Sequence, residues 1–313
     1  TNAWKKLKVG HCRYGIMLGE DGMVKDDGVT ARLDENHFHM TTTTGGAAMV
    51  LSWLERWHQT EWPELEVFMN SVTEQWAVIS VCGPHARDVV QKLTTDVDLA
   101  ADKLKFMQLT TGHVAGVPAR VFRISFTGES TFEINVPASY GQYVWEQVYE
   151  AGREYGITPY GTEGMHLLRA EKGFIIVGQE TDGTVTPQDL DMDWIVSKKK
   201  DFMGKRSLTT PELERGGRKQ LVGLLPEDAS VVLPEGAQIV GVQNLHSPPV
   251  PMLGHVTSSY MSPNLNRGFA LGLVANGTNR HGETVYVVRG DDTIACTISD
   301  KVFVDPEWER VNA

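Results

Sequence analysis

Residues 119–137, "ARVFRISFTGESTFEINVP", decide the fold class. The runs "ARVFRISFTG" and "TFEINVP" predict two antiparallel strands joined around Gly128, because a glycine among polar residues between two β-rich runs marks a hairpin turn. One residue interrupts the pattern. Glu133 stands between Phe132 and Ile134, where a carboxylate is not a natural core choice. Simple alternation turns Phe132 and Ile134 inward and Glu133 toward solvent. The other reading holds the carboxylate ready for a ligand.

Working outward, "EQWAVISVCG" (74–83) predicts a strand that runs into "GPHARDVVQKL" (83–93), where Pro84 suits a first helical turn. A second hairpin is expected from "VTARL" (29–33) and "HFHMTTT" (37–43). Residues 45–60 place Val50, Trp53, Leu54 and Trp57 at helical spacing on one face. Residues 138–156 do the same with Val144, Trp145, Val148 and Tyr149, and Gly156 is the expected helix stop. A short helix, "TEGMHLLRAEKG", follows at 162–173. The polar stretch "PELERGGRK" (211–219) reads as a linker. Beyond it, runs such as "KQLVGLL", "PMLGHVTSSY", "FALGLV" and "ETVYVVRG" predict a small antiparallel barrel or sandwich. The expected architecture is α+β: a mixed body over residues 1–210 and an all-β domain over 220–313.

With 313 residues the chain exceeds a typical single domain, and its 41% hydrophobic and 22% charged content are those of a globular protein. A net charge of −11 argues against nucleic acid, which needs clustered Lys and Arg, and suits cationic or zwitterionic small molecules better. Cys12, Cys82 and Cys296 are far apart and form no C-x-x-C pair. That excludes a disulfide framework or zinc ribbon and implies a reducing compartment. With no apolar run of membrane-span length and no signal peptide, a soluble cytoplasmic protein is expected. The start "TNAWKKLKVG" has no methionine, so a fragment or a processed product is expected.

Several motifs are absent. No G-x-G-x-x-G follows a strand, so no dinucleotide fingerprint is present. "GKRS" (204–207) ends like a phosphate loop, but Lys199 stands where its first glycine belongs. There is no G-x-S-x-G elbow and no H-E-x-x-H. His37 and His39 alternate in a strand, but a metal there would need ligands the sequence does not identify, so no metal is expected. The run Lys198–Lys200 reads as solvated surface or, alternatively, as an attractor for an anionic tail. In "GMVKDDGVTARL" (22–33), Asp26 and Asp27 read locally as turn residues.

Taken together and in order, these pieces resemble the folate-dependent aminomethyltransferase family, the T-protein of the glycine cleavage system and its relatives. "GMVKDDGVTARL" is similar to that family's Asp-Asp hairpin and "VISVCGPHARDVVQKL" to its strand and Gly-Pro helix start. "FRISFTGESTFEI" resembles its Tyr-Thr-Gly-Glu strand, and "GTEGMHLLRAEKGF" its Leu-Arg-x-Glu helix. "KKKDFMGKRSL" resembles its Asp-Phe-x-Gly-Lys turn, and "GHVTSSYMSPNLNRGFALGLV" the signature of its C-terminal barrel. The wording of "HFHMTTTTGGAA" and "EYGITPYGTEGMHLLRAEKGFIIVGQ" looks closest to the C-terminal folate domain of heterotetrameric sarcosine oxidase α subunits.

The resemblance implies roles. Glu133 becomes the anchor of a tetrahydrofolate pterin, whose 2-amino group and N3–H form a paired donor edge that a carboxylate accepts. Asp27 becomes the catalytic or positioning acid, orienting N10 and stabilising positive charge during one-carbon transfer, or acting as a base. Asp26 is its structural neighbour. Arg169 either pairs with the folate carboxylates or forms an ion pair with Glu171 or Glu163. Phe126 replaces the family's usual tyrosine, so that hydroxyl is lost while a ring remains to stack. The implied chemistry captures the carbon of oxidised sarcosine as 5,10-methylenetetrahydrofolate, with flavin and NAD on other domains or subunits. A free-standing aminomethyltransferase or demethylase, and a non-catalytic folate-binding scaffold, are the alternatives. The family fold also begins with a further half-domain before the position of Thr1; with that part on another polypeptide or lost, the resemblance implies an incomplete site.

Overall fold

The computed structural model describes residues 1–245 and 249–313. The chain forms two compact units interleaved along the sequence. One comprises Ala3–Gly15, Asp26–Tyr160 and Trp308–Ala313, and the other Thr1–Asn2, Ile16–Lys25 and Gly161–Glu307.

In the first of these, β1 (Cys12–Leu18, which begins here), β2 (Val24–Asp34) and β3 (His37–Met40) form a sheet in the order β1-β2-β3. Helix α1 (Ala47–Glu61) follows, then β4 (Trp76–Cys82), α2 (Ala86–Gln91), β5 (Gln108–Val114), β6 (Val117–Arg123), β7 (Thr131–Pro137) and α3 (Gly141–Gly152). Strands β4 to β7 make an antiparallel sheet in the order β4-β7-β6-β5, so β7 is flanked on both sides. The hairpin expected around Gly128 is the β6–β7 pair, and Gly128 sits at φ +81°.

Alternation along β7 assigns its two faces different work. Phe132 and Ile134 are fully buried with Ile79, Val81, Val121 and, from the helices, Val89, Val144 and Val148. Burying two such side chains contributes roughly 2–3 kcal/mol each. The opposite face carries Glu133, in register with Ser80 on β4 and Phe122 on β6. A second apolar cluster forms on that side from Cys12, Ala31, Leu109, Phe122 and Ile124, with Val29 and Leu33 packed against it. The face bearing Glu133 is therefore covered by the small β1-β2-β3 sheet.

Several expectations change here. Asp26 and Asp27 lie within β2, not in a turn. The turn comes earlier, where Gly22 adopts φ +84° and the Asp21 carboxylate accepts the Met23 N–H at 3.0 Å. On α3 only Val144 and Val148 of the four predicted inward residues are buried. Trp145 is 46% exposed and stacks on Tyr149 at 5.6 Å. On α1 only Val50 is fully buried, with Trp53, Leu54 and Trp57 half-buried. Both helices present a narrower inward stripe than their spacing predicts. Gly156 is the left-handed stop expected, at φ +71°.

The other unit contains α4 (Thr162–Glu171), α5 (Pro211–Glu214) and β8 (Lys219–Pro226), β9 (Gln238–Val240), β10 (Met252–Ser262), β11 (Arg267–Ala275), β12 (Thr284–Arg289) and β13 (Asp292–Ser299). Among the described residues these six strands close into an antiparallel barrel, β10-β11-β8-β13-β12-β9, around Val222, Leu224, Ile239, Val256, Val285 and Val287. Of barrel and sandwich, the chain forms the barrel, which leaves no exposed strand edge. No helix of the described residues is long and apolar enough to cross a membrane.

Candidate functional site

Glu133 projects from β7 into a narrow cleft. Val29, His39 and Thr41 line it from the small sheet, and Phe122, Ile124 and Asn135 from the large one. Alternation is correct for Phe132 and Ile134, but the face opposite them is half-buried rather than open to solvent. The Glu133 carboxyl accepts no hydrogen bond from the described residues, and burial pushes its pKa up to about 7. Burial, together with the Glu133 charge, also pushes the Cys12 thiol up to about 12. A carboxyl without donors in a half-buried cleft is costly unless something else supplies them.

His39 has a similar standing. Its backbone pairs with Ala31, its ring lies 5.9 Å from Phe122, and neither ring nitrogen has a hydrogen-bond partner among the described residues. Burial, with Arg120 nearby, lowers its pKa and keeps the imidazole neutral. His37, by contrast, is exposed at the start of β3.

Asp27 belongs to the same inward surface. Along β2 the period of two puts Asp27, Val29 and Ala31 on one face, and along β1 it does so for Cys12 and Tyr14. Val29 lines the cleft, and Ala31 and Cys12 share the apolar cluster. Tyr14 donates its hydroxyl to Asp27 Oδ2 at 2.6 Å, and Thr43 donates to Oδ1 at 3.4 Å. Burial raises the Asp27 pKa, the Tyr14 hydrogen bond opposes it, and the Asp26 charge adds to the rise. Tyr14 is in turn raised well above an ordinary phenol, by burial first and then by Asp27.

Asp26 points the other way and is 1% exposed. Its Oδ1 accepts the backbone N–H of Asp27 at 2.8 Å and of Thr43 at 2.9 Å, tying β2 to the segment that enters α1. Between the two strands, Gly28 approaches so closely that a Cβ there would lie 1.9 Å from the Thr41 carbonyl oxygen. Adjacent aspartates thus differ because strand alternation sends one into a backbone tie and the other toward the cleft side.

Beyond the cleft, Tyr160 lies near Ser80, the cross-strand neighbour of Glu133, and Cys82; partial burial raises its pKa. Phe126 is half-buried in the bend joining β6 to β7. Arg169 lies in the barrel-containing unit with its side chain 0% exposed. Its partner is neither Glu171 nor Glu163 but Glu180, at 2.7 Å from Nη1. Nη1 also donates to the Phe174 carbonyl, and Nη2 to Ser258 Oγ at 2.6 Å and Gln179 at 3.3 Å. Ser258 in turn donates to Glu180, so the charge is neutralised by buried partners, with Nε alone of the guanidinium nitrogens left without one among the described residues. Glu171 instead accepts from Ser262 and Asn264. Lys198 and Lys199 are exposed, while Lys200 is half-buried and donates to the Asn2 carbonyl at 2.9 Å.

Sequence reading missed Tyr14, Thr43 and Tyr160, and considered His39 only as a metal ligand. The alternation Cys12-Tyr14-Ile16 was a visible signal for Tyr14. Nothing local marks Thr43 or Tyr160, which gain their partners through chain return.

A family model described as the GCVT N-terminal domain matches residues 1–200, and one described as the glycine cleavage T-protein C-terminal barrel domain matches 219–305. Over 99% of its length the chain is 55% identical to the sarcosine oxidase subunit alpha of Corynebacterium sp. (strain U-96) and 42% identical to that of Rhizobium meliloti (strain 1021). It spans 32% of each of those relatives. It is 28% identical to the aminomethyltransferase of Thermoanaerobacter sp. (strain X514), covering 99% of this chain and 80% of that one. A crystal structure of the glycine cleavage system aminomethyltransferase T from Bartonella henselae superimposes with a TM-score of 0.80, at 23% identity over 96% of this chain and 78% of the other. With nearly two-thirds of its length matched by the first model and its barrel by the second, the chain belongs to the glycine cleavage T-protein (GCVT) family of aminomethyltransferase-like proteins.

Proposed function

We propose that this chain is a tetrahydrofolate-binding one-carbon-transfer domain of a sarcosine-oxidising enzyme. The observation that carries the reading is the Glu133 carboxyl, half-buried and without a donor among the described residues, in a cleft walled by Phe122, Ile124 and Val29. The lining chemistry suits a planar ring with a paired N–H edge, since Phe122, Ile124 and Val29 offer apolar contact and the carboxylate accepts both hydrogens.

When bound, tetrahydrofolate supplies the two nitrogens that take up the one-carbon unit as 5,10-methylenetetrahydrofolate. Glu133 holds the pterin edge. Asp27, aligned by the Tyr14 hydroxyl, provides a negative charge on the same side of the cleft, and is placed to orient a nitrogen and stabilise a cation developing on it. Because Tyr14 donates to it, Asp27 keeps one oxygen committed and the other directed by Thr43, which limits its rotamers. Phe126 is assigned a flanking, apolar contact. Arg169 is assigned a bracing role, because Glu180 already neutralises its charge. Flavin and nicotinamide chemistry, and the oxidation that generates the carbon, are assigned to other domains or subunits in the cytoplasm.

Titration of the protein with tetrahydrofolate, wild type against Glu133→Ala, tests the reading. At least a hundredfold loss of affinity is expected, and equal binding would overturn the pterin assignment. Recovery of flavin-bearing subunits with the natural protein would separate this reading from a free-standing aminomethyltransferase or a non-catalytic scaffold.

A further inference from the structure

Besides Glu133, the cleft holds one polar side chain that no group of the described residues engages. Thr41 uses its hydroxyl to accept the Val29 N–H at 3.0 Å and to donate to the Val29 carbonyl. Asn135 directs its amide toward the Glu133 backbone carbonyl at 3.5 Å. His39 remains. It is held in place by its β3 pairing and by the Phe122 ring, and both ring nitrogens are uncommitted among the described residues.

Resting on the folate reading above, we propose that His39 is the specificity-determining residue of this cleft, donating its ring N–H to the 4-oxo group of the pterin while Glu133 accepts the adjacent N3–H and 2-amino hydrogens. The chemistry follows from the ring. A carboxylate only accepts, so it satisfies the donor side of a 2-amino-4-oxo ring and leaves the neighbouring carbonyl oxygen in need of a donor. A neutral imidazole carries one donor nitrogen and brings no charge to compete for Glu133. Arg120, whose charge adds to burial in lowering the His39 pKa, packs on Trp76 with its guanidinium 4.1 Å from the ring centroid. A site that hydrogen-bonds a carbonyl discriminates against an analogue lacking it, because the donor is then left unpaired.

The test compares dissociation constants for tetrahydrofolate and its 4-amino-4-deoxy analogue in wild type, His39→Leu and His39→Gln, with thermal melts confirming that each variant is folded. His39→Leu should weaken tetrahydrofolate at least tenfold and the 4-amino analogue less than threefold. His39→Gln, which keeps an N–H donor, should recover most of the loss. Equal losses for both ligands, or no loss for either, would overturn the inference. A wild type that binds tetrahydrofolate while His39→Leu changes nothing removes His39 alone. A wild type that binds no tetrahydrofolate removes the folate reading and this inference together.

Discussion

Two regions of this protein bury charge-bearing side chains and treat them in opposite ways. Around Arg169, the Glu180 carboxylate and the Ser258 hydroxyl engage both Nη groups and each other at 2.6–2.7 Å, while Nε has no partner among the described residues. Around Glu133, the carboxyl and the His39 imidazole share a cleft and find no partner among the described residues. A closed network holds the fold in one arrangement, whereas an open set of groups is complete only with a ligand. Arginine and glutamate thus carry little meaning by type. What separates structure from function here is whether the buried charge already has its counter-ion.

Breaking the closed network should have the largest effect. Arg169→Ala strands Glu180 in the interior, and a loss of about 3–5 kcal/mol in unfolding free energy is expected by chemical denaturation. Glu133→Gln should do the reverse. The wild-type carboxyl has a folded pKa of about 7, above its ordinary 4.5, so the folded state binds more protons. Its contribution is fully present below pH 4.5 and is lost as pH rises through 7, by at most about 3 kcal/mol and less in proportion to its partial exposure. Glu133→Gln should therefore match or exceed wild-type stability at pH 8 while losing about a hundredfold in tetrahydrofolate affinity. A variant that loses both would place Glu133 with Arg169, as a structural group.

The adjacent aspartates sharpen the comparison on a smaller scale. Asp26→Ala removes two buried backbone ties and should cost about 2 kcal/mol of stability. Asp27→Asn should leave folding and tetrahydrofolate affinity within about threefold and lower methylene-folate formation in the assembled enzyme at least tenfold. If the two substitutions behave alike, the division between tie and active anion fails. The smallest effect concerns pH. Because the pterin edge needs the ionised carboxylate, wild-type affinity should fall about tenfold between pH 8 and pH 6, a slope that Glu133→Gln would abolish.

Much of the frame was legible in residue order. The hairpin around Gly128, the strand before Pro84, the helices at 47–61, 141–152 and 162–171 and the β-rich C-terminal region all follow from periodicity and turn chemistry. The narrower buried stripes of α1 and α3 did not follow, because spacing marks which residues share a side but not how far a neighbour covers it. The same limit applied to Asp26 and Asp27. Local chemistry suggested a turn, and strand pairing overrode it with two opposed faces.

By itself, the sequence determined the alternation at Phe132-Glu133-Ile134, since neighbouring residues on an extended strand must face opposite ways. It also carried, through ordered motifs, the resemblance that singled out Glu133 and Asp27. Only the tertiary structure decided what stands on the other side of each face. The covering β-sheet turned the expected solvent face of Glu133 into a half-buried cleft with His39, and the Glu180 network closed around Arg169. Burial and partnership depend on segments far apart in the chain, and no local pattern encodes which of them will meet.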